Sequence, residues 1–190
     1  MASTQSNGGQ ARLLAYRRSW ETDFVEASAS IASVLGERIV GPIEHIGSTA
    51  IPGMIAKPQI DMLGAVGDIA DAQAAADLLA GLGYAVRPHR VDAVLYVEPG
   101  DRLDDPDAVY RHSLHLTTRD SELWRERLLF RDALRADTRL RDEYIDLKLA
   151  MLASCRPYSS RDKREFVRRV LREAGHELRE GLPRRLTRGP

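Results

Sequence analysis

Apolar positions recur every three to four residues over 11–36, where Leu13, Tyr16, Trp20, Phe24 and Ala27 share one side and Gly36 supplies a stop. That spacing predicts a helix, with its three aromatic residues read as core. The pattern then changes. A β-branched apolar run from Ile39 to Ile46 predicts a strand that ends at Gly47-Ser48, followed by a short helix and a second apolar strand around Ile60 to Leu63. Asp68 to Leu82 is Ala-rich with an acid at its start and glycines at its end, which predicts another helix. Tyr84 to Val86, Ala93 to Val97 and Tyr110 to Thr117 read as strands, and in the last Arg111, Ser113, His115 and Thr117 share one face while His112 and Leu114 share the other. Three capped helices follow, starting at Asp120 or Ser121, at Asp137 or Thr138, and at Ser159 or Ser160, and ending near Ala136, Cys155 and Leu178.

This order predicts an α/β (α+β) chain: a mixed twisted sheet with flanking helices, mainly on one face, and a helical C-terminal third. Residues 11–180 form one domain in this reading, between a small-residue polar tail at 1–10 and a basic, proline-containing tail at 181–190. Net charge is zero, which argues against a general polyanion or nucleic-acid binder. Of 28 basic residues, only Lys57, Lys148 and Lys163 are lysines, a bias attributed to base composition. The single Cys155 excludes an internal disulfide, and no signal-like or membrane-spanning run is visible, so a cytoplasmic protein is expected. The acidic stretch Pro99 to Asp107 lacks the glycine and closing Glu of an EF-hand and reads as a solvated loop.

The chemistry concentrates around one acid. Asp61 lies among Ile60, Met62 and Leu63, so a carboxylate is expected inside an otherwise buried strand, where it needs a charged partner. Twelve residues or so earlier, Gly47-Ser48 leaves backbone N–H groups free to meet an anion, with Ser48, Thr49 and the following amides as the expected donors. The string Glu44-His45-Ile46-Gly47-Ser48-Thr49, with Pro52-Gly53, Ala56-Lys57-Pro58 and Ile60-Asp61, resembles the GrpB family of the nucleotidyltransferase superfamily. Leu114-His115-Leu116, Phe130-Arg131-Asp132, Leu134-Arg135, Glu143-Tyr144, Leu147-Lys148, Tyr158, Lys163 and Phe166 extend the likeness from about Tyr16 to Ala174.

The resemblance implies a nucleotidyltransferase-like sheet and an Mg²⁺-dependent transfer from an NTP, most simply ATP, to a small acceptor. Asp61, Glu44 and His115 become the expected catalytic residues, with Asp61 and Glu44 as metal ligands. Gly47, Ser48, Thr49, Lys57, Arg131 and Arg135 are the expected nucleotide-binding set. Strand alternation favours His45 over Glu44 on Gly47's side unless a bulge intervenes. Arg131 and Arg135, at i,i+4, either grip phosphate or form a ladder with Asp132, Glu126 and Glu143. Superfamily enzymes usually carry a second acid two residues after the first, whereas position 63 here is Leu. That departure opens one alternative, a catalytically degenerate nucleotide- or coenzyme-binding module, and the same phosphate cradle would allow another, an ATP-dependent enzyme that activates a carboxylate for amide formation. Family members also often place a His two residues before His115, where this chain has Ser113.

Overall fold

In a computed structural model, residues 13–87, 89–98, 111–154 and 161–176 are described. The expected tails, the acidic loop, Tyr110, Cys155, Tyr158 and the Ser159 or Ser160 cap lie outside them. The helix α1 spans Ser19–Leu35, and five strands follow in the chain: β1 Glu44–Ile46, β2 Ile60–Ala65, β3 Ala85–Arg87, β4 Ala93–Val97 and β5 His112–Thr117. They form one sheet in the order β1-β2-β5-β4-β3, in which only β2 and β5 run parallel. Helices α2 (Ile69–Ala74) and α3 (Ala76–Ala80) join β2 to β3, and α4 (Glu122–Ala136), α5 (Thr138–Ala153) and α6 (Arg161–Glu173) close the described chain. The mixed sheet and helical last third match the expected fold class.

Local chemistry explains most boundaries. Asp68 and Asp71 build a capping box at α2, Ser121 accepts from the Trp124 N–H at α4, and Asp137 accepts from the Arg139 and Leu140 N–H groups at α5. Three expectations fail. The first helix begins only at Ser19, because Leu14 exchanges backbone hydrogen bonds with Ala56 and holds the preceding residues extended. The expected strand from Ile39 shrinks to Glu44–Ile46, since Gly41 turns left-handed (φ 79) ahead of Pro42 and only Ile39 bridges to Val66. The helix over 68–82 is interrupted at Ala75, whose ψ of −7° breaks the α ladder.

Helices cover both faces of the sheet, not mainly one. Even-numbered β2 and β5 residues Met62, Leu114 and Leu116 pack with Trp20, Ile31, Leu35 and Leu79 under α1–α3. On the other face Ile46, Leu63 and Ala93 meet Leu123 of α4. Beside this, α4, α5 and α6 share a core of their own, in which Phe130 stands edge-on to Tyr144 at 5.4 Å and Tyr144 stacks on Phe166 at 5.0 Å. The helix α6 is rich in charge, and Phe166, Val170 and Leu171 are its buried residues. Truncating Phe166 to Ala therefore removes the central anchor of α6, and urea denaturation should show a loss of about 3–5 kcal/mol.

Candidate functional site

The face between the sheet and α4–α6 gathers the charged groups. On adjacent strands, Ile46 of β1 lies opposite Asp61 of β2, Asp61 beside Ser113 of β5, and Leu63 beside His115. Period-two alternation therefore sets Glu44, Asp61, Ser113 and His115 on one face and His45 on the other. This reverses the expected preference for His45, and no bulge is needed: the chain leaves the strand at Gly47. There φ is 70°, and a Cβ would stand 2.3 Å from Asp61 Oδ2. Gly47 is required twice, for the left-handed turn and for the space that the carboxylate fills.

Asp61 accepts a hydrogen bond from Gln59 Nε2 at 2.8 Å, and the same amide donates to Ser113 Oγ at 2.8 Å. Burial raises the Asp61 pKa, against the opposing pull of Gln59, of the Arg127 and Lys163 charges and of Ser113. Lys148 of α5, 2% exposed, donates to Ser48 Oγ at 2.6 Å and to the Ile55 carbonyl at 2.7 Å. Burial, then repulsion from Lys163, lowers its pKa to about 7, although Asp61 pulls the other way. Lys163 of α6 falls to about 8 for the same first reason, with Arg127 and Lys57 as further repelling charges and Asp61 again opposing. Lys148 and Lys163 thus both interact electrostatically with Asp61, and Lys57, the third lysine of the chain, lies near Lys163.

His115 is 7% exposed, and burial, aided by Arg127 and His89, holds its pKa well below the ordinary value. Its Nδ1 lies 3.1 Å from His89 Nε2. The second histidine that Ser113 displaces therefore arrives from the β3–β4 connection. Next to it, Arg90 ties that connection to α4 through Glu126 at 2.8 Å while also holding Asp92 at 2.9 Å.

Other expected site residues stand elsewhere. Glu44 shares the Asp61 face but is held by Arg131 Nη1 at 2.7 Å, and Arg131 also pairs with Asp132 and donates to the His45 carbonyl. Arg131 and Asp132 make part of the expected ladder, yet Glu126 serves Arg90 and Glu143 serves Arg169. Arg135 turns away from Asp61, donating to the Ala50 carbonyl at 2.9 Å. The expected short helix at Ser48 is a single 3₁₀ turn, Ser48–Ala50, too short for a helix dipole. Thr49 is 1% exposed, with its hydroxyl on the Gln59 carbonyl and within 3.1 Å of His45 Nε2, so its side chain supports the turn from behind. Lys57 is half-buried and lies near enough to Lys163 to depress it.

As a cation site, this donor set is thin. Among the described residues no group of three or more His, Cys, Asp or Glu side chains converges. Asp61, half-buried beside Gly47, is the carboxylate that would hold a hard cation here. Leu63, fully buried where a second acid would stand, adds nothing.

Residues 10–173 match the sequence profile described as GrpB protein. The chain belongs to the GrpB family. It is 30% identical to the glutamate-rich protein GrpB of Alkalihalophilus pseudofirmus over 172 residues, 88% of this chain and 97% of that one. It spans about two thirds of the length of further relatives, among them a UPF0157 protein of Streptomyces coelicolor, 35% identical over 136 residues. The crystal structure of the conserved protein GrpB from Enterococcus faecalis has the same fold, with a TM-score of 0.73 at 24% identity, covering 86% of this chain and 96% of that one. A cytoplasmic RNA terminal U-transferase gives a TM-score of 0.49 at 13% identity, over 71% of this chain and 41% of that one. Among the described residues, no helix is long and apolar enough to cross a membrane.

Gln59, Lys148, Lys163, Arg127 and His89 are site neighbours outside the expected catalytic and nucleotide-binding set; Lys148 and Lys163 entered only as part of the family likeness. Scarcity was the usable signal for two of them, since lysine occurs three times against 25 arginines (28 basic residues less 3), Lys148 and Lys163 both act on Asp61, and Lys57 lies near Lys163. The Lys148 environment carries a pH signature. Folding favours its neutral form, so between about pH 7 and 10.5 the unfolded chain binds the extra proton and stability rises with pH. Denaturation of wild type and Lys148→Met side by side should show the wild type gaining on the variant from pH 7 to pH 10. A constant difference would contradict a buried, depressed lysine.

Proposed function

We propose that this GrpB protein binds a nucleoside triphosphate, most simply ATP, against the lysine cluster and transfers its nucleotidyl group to a small acceptor. The observation that carries this reading is the convergence of Lys148 and Lys163 on the single carboxylate of Asp61, with Lys57 near Lys163, beside the notch at Gly47. Such a patch is short of negative charge and partly desolvated, which suits phosphate oxygens. In the transfer, an acceptor oxygen bonds to the α-phosphorus, the bond from that phosphorus to the oxygen bridging to the β-phosphate breaks, pyrophosphate leaves with the electron pair, and the acceptor proton passes to solvent. Lys148 and Lys163 would neutralise charge on the departing phosphates, taking the part that a second cation plays where two acids are present. Mg²⁺, when bound at Asp61, would supply charge neutralisation at the reacting phosphoryl oxygens. His115, neutral and hydrogen-bonded to His89, would receive the acceptor proton only weakly, so its role here is to orient the acceptor hydroxyl.

One observation favours a second reading. Glu44 is committed to Arg131 at 2.7 Å, leaving Asp61 without a second acid at hand, as a binding module that has lost transfer would have it. Pyrophosphate release from Mg-ATP, screened across small hydroxyl and amine acceptors, separates the two. Release confirms transfer; saturable binding with no release favours the module. Release that requires both a carboxylate and an amine would instead indicate amide formation.

Two variants test the site under either reading. Burial makes the charged form of Asp61 costly at neutral pH, so Asp61→Asn should melt no lower than wild type without ligand. The same variant should lose the stabilisation that Mg-ATP gives, about 2.7 kcal/mol at one hundred times the dissociation constant. Gly47→Val places a side chain on the Asp61 carboxylate and strains a left-handed backbone. It should weaken Mg-ATP binding more than Ser48→Ala does, measured by calorimetry on variants whose circular dichroism matches wild type.

A further inference from the structure

A second concavity lies at the β1 edge of the sheet, between α1 and the helices α4 and α5. It is about 440 Å³ in volume, within the range of small-molecule pockets, and its wall includes Phe24 and Val25 of α1, His45, Pro52, Arg135 and Arg141. His45, displaced from the Asp61 face, builds its floor: the ring stacks on Phe24 with centroids 4.6 Å apart and planes 6° from parallel. Burial, with Arg135 and Arg131 nearby, lowers the His45 pKa to about 4, so the ring is neutral at physiological pH. Val25, 60% exposed, and Phe24 supply an apolar side.

The charge in this groove is predominantly positive. Arg135 and Arg141 each anchor one edge of the guanidinium on a carbonyl of the same turn, Ala50 at 2.9 Å and Pro52 at 3.3 Å. Their acidic contacts are long: Asp132 lies 3.9 Å from Arg135, and Asp142 lies 3.8 Å from Arg141 with 64% of its side chain exposed. Glu21, the acid in the wall, accepts the Tyr16 hydroxyl at 2.5 Å. Two guanidiniums therefore face one engaged carboxylate above an apolar floor. Guanidinium forks match carboxylate and phosphate oxygens, and an aromatic and aliphatic wall matches a flat hydrocarbon body.

We propose that this groove binds a small organic anion, a carboxylate or a phosphate monoester carried on a flat apolar body. It is separate from the phosphate site yet joined to it, since His45 Nε2 meets Thr49 Oγ1, Thr49 donates to the Gln59 carbonyl, and the Gln59 amide holds Asp61. The proposal stands whether or not the Asp61 site turns over a nucleotide.

Phenylacetate and phenyl phosphate serve as probes, with acetate and inorganic phosphate as ring-free controls, in two-dimensional NMR titrations of the full chain. Saturable shifts centred on Phe24, Val25 and Arg135, with at least tenfold tighter binding of one or both ring-bearing anions than of their controls, are expected. Preference for phenylacetate would identify a carboxylate ligand, and preference for phenyl phosphate a phosphate ester. Arg135→Gln should weaken binding at least tenfold. Val25→Trp, at an exposed helix position, fills the groove without entering the core and should abolish binding while Mg-ATP stabilisation stays at its wild-type value; it decides the matter should Arg135→Gln fail to fold. No saturable shift, equal binding of the ring-free controls, or unchanged binding in Val25→Trp would overturn the proposal.

Discussion

The fold is arranged around the cost of keeping one carboxylate inside a strand. Asp61 sits in the centre of the α4–α6 face, flanked by fully buried neighbours, and a lone ionised acid there would be expensive. Three features meet that cost. Gly47 withdraws its side chain to make room, Gln59 bridges Asp61 to Ser113, and cations approach from three different helices. Gln59 stands two residues from Asp61, whereas Gly47, Ser113 and the helix cations come from distant parts of the chain. The C-terminal helices, which make no strand of the sheet, are therefore tied to its chemistry.

Compensation is incomplete in a way that suits a binding site. The lysines outnumber the acid, and burial holds Lys148 and Lys163 near pKa values of about 7 and 8. A structural ion pair would have raised them. An arriving phosphate would instead restore their charge, drawing protons from solvent as it binds. Lysine suits this task better than arginine, because a guanidinium remains ionised under the same burial.

Much of this was legible in the chain. Two-residue alternation assigned Ser113 and His115 to one face of β5, and the capping residues Ser121 and Asp137 marked the starts of α4 and α5 correctly. The Gly47 to Asp61 string identified the family. Errors arose where a backbone turn or a distant packing partner decided the outcome. Gly41 broke a run whose apolar content reads as strand, and the pairing of β1 with β2 put Glu44, not His45, on the face of Asp61. Helix spacing could not tell which sheet face each helix covers, nor that Lys148, in a helix of weak amphipathicity, points inward. Lysine scarcity pointed to the site, but base composition offered a simpler account of it.

The manner in which α6 is attached has a kinetic consequence. It brings Lys163 to Asp61, yet its hold on the domain depends on Phe166, Val170 and Leu171 beneath a predominantly charged exterior. Small apolar footprints of this kind open locally at a fraction of the global unfolding free energy. Lys163 can therefore leave Asp61 with α6 while the sheet, with Asp61 and Gly47, and Lys148 on α5 stay in place. Amide hydrogen exchange in α6 would then report that opening, and a bound polyanion would slow it by bridging the helix to the strands.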